Sequence, residues 1–341
     1  MGAGLALALA SCSPPSSSTC DISSSHEISE TWRSQVFSRD DLDSLAFFPA
    51  MNWVIATAKG AHDLIVSDAA TGRMQSRRGR PGTGVGEFQR PNGIAVADNL
   101  LFVVERDNHR IQVLQLPEFL SLGHIGEDVL RRPYGVAVYP VGPNRYEVFV
   151  TDNYEIPEGH IPPASQLHER IKQYLIALEG NRLTHRLIRS FGDTTGDGIL
   201  RKVESIALDE MYNRVLIAEE QEDHMSIKIY TLSGEFTGNV IGKGIFQVEP
   251  EGIGLYAEGD DGGWWIATDQ HKKKTVFHVF GRKDLEYRGF FSGQATANTD
   301  GICVTNHTFS HFPKGGLFAI DDDRRVVAFS WEAIARKFGV N

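Results

Sequence analysis

One phrase recurs along this chain and limits what it can fold into. A polar, acidic or tyrosine residue is followed by Gly or Ser, then by Ile, Val or Leu and a short apolar run. The copies are Asp43-Ser44-Leu45-Ala46, Asn92-Gly93-Ile94-Ala95, Tyr134-Gly135-Val136-Ala137, Glu204-Ser205-Ile206-Ala207, Glu251-Gly252-Ile253-Gly254 and Asp300-Gly301-Ile302-Cys303. The Gly or Ser positions are separated by 49, 42, 70, 47 and 49 residues. Each interval is long enough for four short strands. A self-similar unit of that length, repeated six times, predicts an all-β chain: a six-bladed β-propeller with four antiparallel strands per blade. Equivalent positions then converge at one end of a central channel. Four of the six copies place a carboxylate before the turn: Asp43, Glu204, Glu251 and Asp300.

The segments between the copies fit this reading. Trp53–Thr57, Asp63–Ser67, Leu101–Val104, Ile111–Gln115, Glu147–Thr151, Arg214–Ala218, Ser226–Tyr230, Trp264–Thr268 and Val276–Phe280 are short, rich in β-branched or aromatic residues, and bounded by Gly, Asp and Asn. The third unit is the long one and carries an insertion over 152–170. A short C-terminal helix is predicted over Trp331–Phe338, with Ser330 as its cap. A ring of blades must close, so a strand within Ile28–Phe37 is expected to complete the last blade.

The N-terminus reads differently. Residues 1–12 are small and apolar and end in Leu9-Ala10-Ser11-Cys12, the pattern of a lipoprotein signal whose Cys12 becomes lipidated. Residues 13–30 are Ser/Pro-rich and read as a tether, leaving 31–341 for the propeller. The expected location is therefore outside the cytoplasm, as a bacterial cell-envelope lipoprotein or a periplasmic or secreted protein. Any membrane contact would come only through the N-terminal lipid. Cys20 and Cys303 make no disulfide framework, and no Cys/His spacing suggests zinc. With 44 acidic against 34 basic residues and no basic stripe, nucleic acid is not an expected partner. A monomer is expected.

The acidic residues suggest a hard cation. Glu220 follows a fourth-unit strand, Glu249 lies two residues before Glu251, and Gln270 follows Asp269 after a fifth-unit strand. One Asp or Glu beside a turn is ordinarily a cap. Carboxylates at four of six equivalent positions fit Ca²⁺ better, since it takes 6–8 oxygens in flexible geometry. Carboxylates at i and i+2 of an extended segment share a side, so Glu249 and Glu251 could serve neighbouring ions. Phe191–Gly198 is an acidic turn without the spacing of an EF-hand. Lys59 and Arg106 stand at matching strand ends in the first and second units, and Tyr134 precedes the third turn. Arg106 could grip a phosphate bidentately and Lys59 neutralise one as a point charge; alternatively, Arg106 pairs with Glu105 or Asp107.

The stretches Val203–Tyr212, Leu216–Glu220, Glu249-Pro250-Glu251-Gly252, Ala267–Gln270, Thr299–Ile302, Gly316–Ala319 and Ser330–Ala335 resemble the β-propeller phytases in order and spacing. The resemblance implies a calcium-dependent phytase that hydrolyses phosphomonoesters of myo-inositol hexakisphosphate, of the 3-phytase kind. It implies several Ca²⁺ ions held by Asp43, Glu204, Glu220, Glu249, Glu251, Gln270 and Asp300. Lys59, Arg106 and Tyr134 would hold the phosphate, with Glu204, Arg106 and Lys59 as the catalytic set. The chain departs from that family where it reads Lys59-Gly60 in place of two lysines, Thr151-Asp152-Asn153 where a lysine is usual, and Glu249 where Asp is usual. The first half is similar to NHL repeats, through Gly84–Ala95 and Asp107–Val113. That likeness keeps open a non-catalytic propeller that binds a peptide or glycan at the cell envelope. A propeller lactonase or esterase is a further alternative.

Overall fold

The computed structural model describes residues 26–180 and 182–339. The signal segment, Cys12 and Cys20 lie outside the described residues. Six sheets are arranged around a channel, each antiparallel in its four-stranded unit. The inner strands are Leu42–Phe48, Pro91–Ala97, Pro133–Gly142, Val203–Asp209, Pro250–Glu258 and Ile302–Thr305. The second strands are Trp53–Ala58, Leu100–Glu105, Arg145–Asp152, Arg214–Glu219, Gly262–Asp269 and Gly316–Asp321. Each inner strand packs against that of the next blade, and the sixth packs against the first.

The recurring Gly has a steric cause. A Cβ on Gly93 would stand 2.3 Å from the carbonyl oxygen of Tyr134, one on Gly135 2.2 Å from that of Glu204, and one on Gly301 2.3 Å from that of Asp43. Each contact is with the next blade's copy of the phrase. In two blades a strand-two threonine bridges the same gap. The Thr57 hydroxyl accepts from the Ser44 N–H at 2.9 Å and donates to the Asn92 carbonyl at 2.7 Å. The Thr151 hydroxyl accepts from the Gly135 N–H and donates to the Glu204 carbonyl, both at 2.8 Å. The phrase also coincides with a break in register between inner and second strands in five blades, at Leu42/Leu45, Pro91/Ile94, Pro133/Val136, Val203/Ile206 and Pro250/Ile253. Such bulges re-aim side chains that a regular ladder would leave flat on the sheet.

The core is split into wedges between neighbouring blades. Phe102, Val104 and Val113 meet Val148, Val150 and Ile176 between the second and third blades. Each wedge buries the apolar alternation of one sheet against that of the next, the main source of stability in a fold with few helices.

Closure uses the N-terminal segment twice. Trp32–Arg33 pairs with Val327 and Ala328 as the outer strand of the sixth blade. Glu27–Ile28 pairs in parallel with Ser292 and Gly293, adding a fifth strand to the fifth blade. The expected tether therefore ends earlier than residue 30. Ile28 is buried in the wedge between blades five and six, and the Glu30 carboxylate accepts from the Ala295 N–H at 2.9 Å and the Thr296 hydroxyl at 2.6 Å. Both edges would otherwise expose unpaired backbone. The helix forms at Trp331–Phe338. The Ser330 hydroxyl accepts from the Ala333 N–H at 3.3 Å, and Gly339 ends the helix with φ 65°.

The long third-unit insertion folds against the flank of blades three and four. Arg170 is fully buried and, among the described residues, forms no salt bridge. It donates to the carbonyls of Tyr154 at 2.6 Å, Asp152 at 3.2 Å and Leu200 at 3.4 Å, and to that of Arg201. Four carbonyl dipoles replace water around the guanidinium and tie the insertion to the turn that leads into Glu204.

Gly135→Ala and Gly301→Ala are expected to destabilise the protein by about 1–3 kcal/mol each, because the new methyl meets backbone that closes the ring. Ser205→Ala, at the same place in a blade that already accommodates a Cβ, should cost less than about 0.5 kcal/mol. Denaturant unfolding of the three variants checks the difference.

Candidate functional site

Two rows of side chains meet at the channel mouth where the bulges lie. The first row is the leading residue of each phrase. The second comes from the ends of the second strands, where adjacent residues divide two tasks. The last strand residue is a pin. Asp152 accepts from the N–H groups of Arg131 and Arg132, and Glu219 from those of Arg201, Lys202 and Gln221. Asp269 accepts from Gln247 at 2.8 Å and Val248 at 2.9 Å, and Glu105 from Gln89 at 3.1 Å. Each carboxylate holds the segment that enters the inner strand of its own blade. The residue after the pin is Arg106, Glu220 or Gln270 in three blades; in the third it is Asn153, which accepts from the Val203 N–H at 3.3 Å, and in the first Lys59 holds the matching place after Ala58.

Glu204, Glu220 and Glu251 bring one oxygen each to within 4.8 Å of one another. Asp43, Tyr134, Glu204, Glu251 and Asp300 line one small cavity of about 20 Å³, room for a single ion or water. Glu220 and Glu251 are buried. Lys202 Nζ forms an ion pair with Glu220 Oε2 at 3.0 Å, and among the described residues the Glu220 oxygens have no other hydrogen-bonding partner. Burial and mutual repulsion hold these acids protonated to unusually high pH. The Glu204 carboxyl is pushed up from 4.5 to about 7, by burial first and by Asp43 among its neighbours. The carboxyls of Glu220, Glu251 and Asp300 are also raised well above the ordinary range, by burial and then by neighbouring carboxylates.

On the other side of the mouth the acids already have a counter-charge. Lys59 Nζ lies 2.8 Å from Asp43 Oδ1 and 3.3 Å from Asp300 Oδ2. Burial would lower its pKa, but the two carboxylates outweigh this and hold the ammonium charged. Gln270 donates its side-chain N–H to Asp300, and its backbone N–H meets the Glu249 carbonyl at 3.0 Å. Arg106 pairs with Asp107 at 2.8 Å, as the surface alternative expected, and also interacts with the Tyr134 hydroxyl. Burial, followed by the charge of Glu204, keeps that phenol protonated well beyond its usual range.

Glu249 takes a place the i, i+2 argument did not foresee. Its Oε1 lies 2.9 Å from Lys202 Nζ, so it joins an outer ring and not the three-acid cluster. That outer ring is the position two before each phrase: Asp41, Arg90, Arg132, Lys202, Glu249 and Asn298. Neighbours within it pair across blades, Lys202 with Glu249 and, at 3.8 Å, Arg90 with Asp41. Lys202 was missed in the sequence, although its equivalence to Glu249 was the available signal. Asp323 was missed as well, because it comes from the second-to-third-strand turn of the last blade, outside the phrase. Burial raises its carboxyl to about 6, against the pull of Lys59. The acidic turn after Phe191 lies apart from the mouth. Its Asp197 is exposed and borders a separate small cavity with Arg201, His224 and Lys243.

Behind the mouth runs a channel of about 280 Å³ whose lining includes Leu45, Ile94, Val136, Ile206, Ile253 and Ile302. It is the larger space, but the polar chemistry sits at its rim. Cys303 lines this channel, and its burial pushes the thiol above its usual range, as expected for an inert cysteine. Among the described residues, no helix is long and apolar enough to cross a membrane.

The NHL repeat family matches residues 88–114, the second blade, where the sequence suggested it. No curated protein matches the chain. Among solved structures, the fold is similar to a protein assigned by family as a gluconolactonase, at 15% identity over 88% of this chain and 89% of that one, with a TM-score of 0.53. It is similar to a chain of a nidogen–laminin complex at 13% identity, over 77% and 84% of the two chains, TM-score 0.52. Hydrazine synthase from Kuenenia stuttgartiensis aligns at 12% identity over 86% and 96%, TM-score 0.50. At these identities the likeness shows the six-bladed fold alone.

The raised carboxyls have a consequence for stability. The folded, cation-free chain holds protons that the unfolded chain has released between pH 4.5 and about 7 for Glu204, so stability should fall as pH rises through that window. Scanning calorimetry in EDTA is expected to show a Tm lower by about 2–5 °C at pH 7.5 than at pH 5. The triple variant Glu204→Gln/Glu220→Gln/Glu251→Gln should flatten that slope, and a slope unchanged in the variant would contradict the assignment.

Proposed function

We propose that this chain is a calcium-dependent phosphomonoesterase of the β-propeller phytase type, acting on myo-inositol hexakisphosphate. The observation that carries the reading is the three-carboxylate cluster, with Glu220 buried and partnered only by Lys202, at a mouth that also carries Lys59 and Arg106. The donor set fits calcium: every member is an oxygen ligand, and buried carboxylates that share a small cavity need positive charge. Glu204, Glu220 and Glu251 would hold one ion. Asp43, Asp300, Gln270 and, at the edge, Glu249 would complete the shell for others. When bound, calcium would supply the positive charge that lets a net-negative protein hold a dense polyanion and polarise its phosphoryl group.

The chain's own groups would do the rest. Arg106 and Lys59 offset charge on the equatorial phosphoryl oxygens. The protonated Tyr134 hydroxyl donates to one of them. Glu204 would take part in catalysis as an ionised ligand of the cation. Export with a lipidated Cys12, a monomeric state and the absence of a nucleic-acid partner belong to the same proposal.

A second reading, a lactonase or esterase with one divalent ion, is favoured by the size of the three-acid cluster and by the fold likeness to the gluconolactonase. A non-catalytic NHL-type propeller is the third.

The deciding experiment is a panel of phytate, p-nitrophenyl phosphate and a sugar lactone, each with calcium and with EDTA. Phosphate release from both esters, lost in EDTA and reduced at least about 100-fold by Glu251→Gln, is the expected result. Lactone hydrolysis without phosphatase activity would establish the second reading instead. Calcium binding without any hydrolysis would favour the scaffold.

A further inference from the structure

Among the described residues, two side chains that carry a pair of polar atoms have both of them buried and, the ion pair of Glu220 with Lys202 apart, without a hydrogen-bonding partner: Glu220 and Asn92. Glu220 belongs to the acid cluster. Asn92 is fully buried and so far has no role. A buried primary amide normally bonds through both ends, and leaving both unpaired is costly.

Its place in the fold is informative. Asn92 is the second blade's copy of the position held elsewhere by Asp43, Tyr134, Glu204, Glu251 and Asp300, all of which line the mouth cavity. It sits in the same bulge: Pro91 faces Glu105 as Pro133 faces Asp152 and Pro250 faces Asp269, with the same break in register afterwards. Its carbonyl accepts from the Thr57 hydroxyl, two residues before Lys59, while the adjoining Gly93 packs on the Tyr134 carbonyl. The cross-strand partner of Pro91 directly precedes Arg106. By that equivalence Asn92 belongs to the side of the ring that carries Lys59, Arg106 and Tyr134, away from the three clustered acids. The charged groups of that side are paired, Lys59 with Asp43 and Asp300 and Arg106 with Asp107, and the Asn92 amide and the Tyr134 hydroxyl are neutral donors beside them.

We propose that Asn92 is a substrate-binding residue whose side-chain N–H donates to an anionic oxygen of a phosphate monoester. The inference rests on the phosphatase reading above, and it extends the recognition set from charged groups to a neutral donor. The Asn92 side-chain carbonyl oxygen is left to accept from a hydroxyl of the substrate or from water. The orphaned amide costs stability in the free protein and becomes satisfied when ligand enters.

The test uses the calcium-loaded full chain and the variants Asn92→Ala and Asn92→Asp. Inorganic phosphate binding is measured by titration calorimetry, and KM with p-nitrophenyl phosphate. Asn92→Ala is expected to weaken both by about 10- to 100-fold, the loss of a hydrogen bond to a charged partner. Asn92→Asp should weaken them further through like-charge repulsion. Calcium affinity without phosphate should stay within about twofold of wild type, and the ligand-free Tm of Asn92→Ala should not fall. A loss of calcium affinity as large as that of Glu251→Gln would make Asn92 a cation ligand and overturn the proposal. A lowered Tm with unchanged phosphate affinity would make it a packing residue and overturn the proposal equally. If the wild type itself binds no phosphate while it hydrolyses a lactone, the phosphatase reading falls and takes this inference with it. Wild-type phosphate binding that the variants leave untouched sinks the Asn92 assignment alone.

Discussion

The close approach of six inner strands around the channel determines most of what this molecule presents at its mouth. Where Gly93, Gly135 and Gly301 meet the carbonyl of the next phrase, the gap admits hydrogen and nothing larger without displacing backbone. That packing fixes the ring's diameter. It also fixes the height at which the preceding residue leaves each strand, because the register break falls at the same point. The steric element and the chemical element of the phrase are adjacent for this reason: the glycine sets the distance, and the residue before it inherits a common direction. Six distant parts of the chain can then place side chains within a few ångströms of each other without any loop having to be long or ordered by itself.

Carboxylates in this ring fall into two physical classes. Asp152, Glu219 and Asp269 are buried and satisfied, since each accepts two or more backbone N–H groups that would otherwise lack partners. In Asp269 these bonds and the neighbouring His271 and His278 overcome the effect of burial and hold the carboxyl below its usual range. Glu220, one residue beyond the pin Glu219, has the opposite environment: it is buried too, but accepts from no backbone N–H and has a neighbour of like charge in Glu204. Burial alone therefore does not mark a functional acid. Glu220 has one counter-charge, Lys202 at 3.0 Å, so what separates the classes is how fully the desolvated charge is compensated from within the protein. By that criterion Asp43 and Asp300 are intermediate, because Lys59 compensates them.

The periodic part of this architecture was legible in the sequence. Glycines and β-branched runs at regular intervals report the inner strands, and a carboxylate before the glycine reports the mouth. The closing strand was foreseen within Ile28–Phe37, but its division was not. Glu27–Ile28 reaches back to the fifth blade because the outer edge of that blade also needs a partner, a demand that no local pattern expresses. The site was less legible wherever charge pairing across blades decides the outcome. Glu249 and Glu251 look alike at two-residue spacing, yet Lys202, 47 residues earlier, neutralises one and leaves the other in the cluster. Asn92 stands in the repeat, but an amide there carries no charge to mark it. Its significance lies in having no partner, which only the three-dimensional arrangement reveals.

Charge is distributed unevenly around the mouth, and the asymmetry bears on what can enter. Blades four and five contribute an acid excess that a single lysine, Lys202, offsets from the side. Blades one to three contribute Lys59, paired with Asp43 and with Asp300 of the sixth blade, Arg106, paired with Asp107, the protonated Tyr134 and the neutral Asn92. In a narrow opening walled by low-dielectric blades, the acid excess of one half is weakly screened. An anion alone would be repelled by that half. A group that carries anionic oxygens together with a hard cation satisfies both halves at once, since the cation meets the acids while the oxygens meet the donors. On the proposed reading the ring would take an ion and an anion as a unit, and its affinity for either would depend on the presence of the other, with the same coupling factor in both directions.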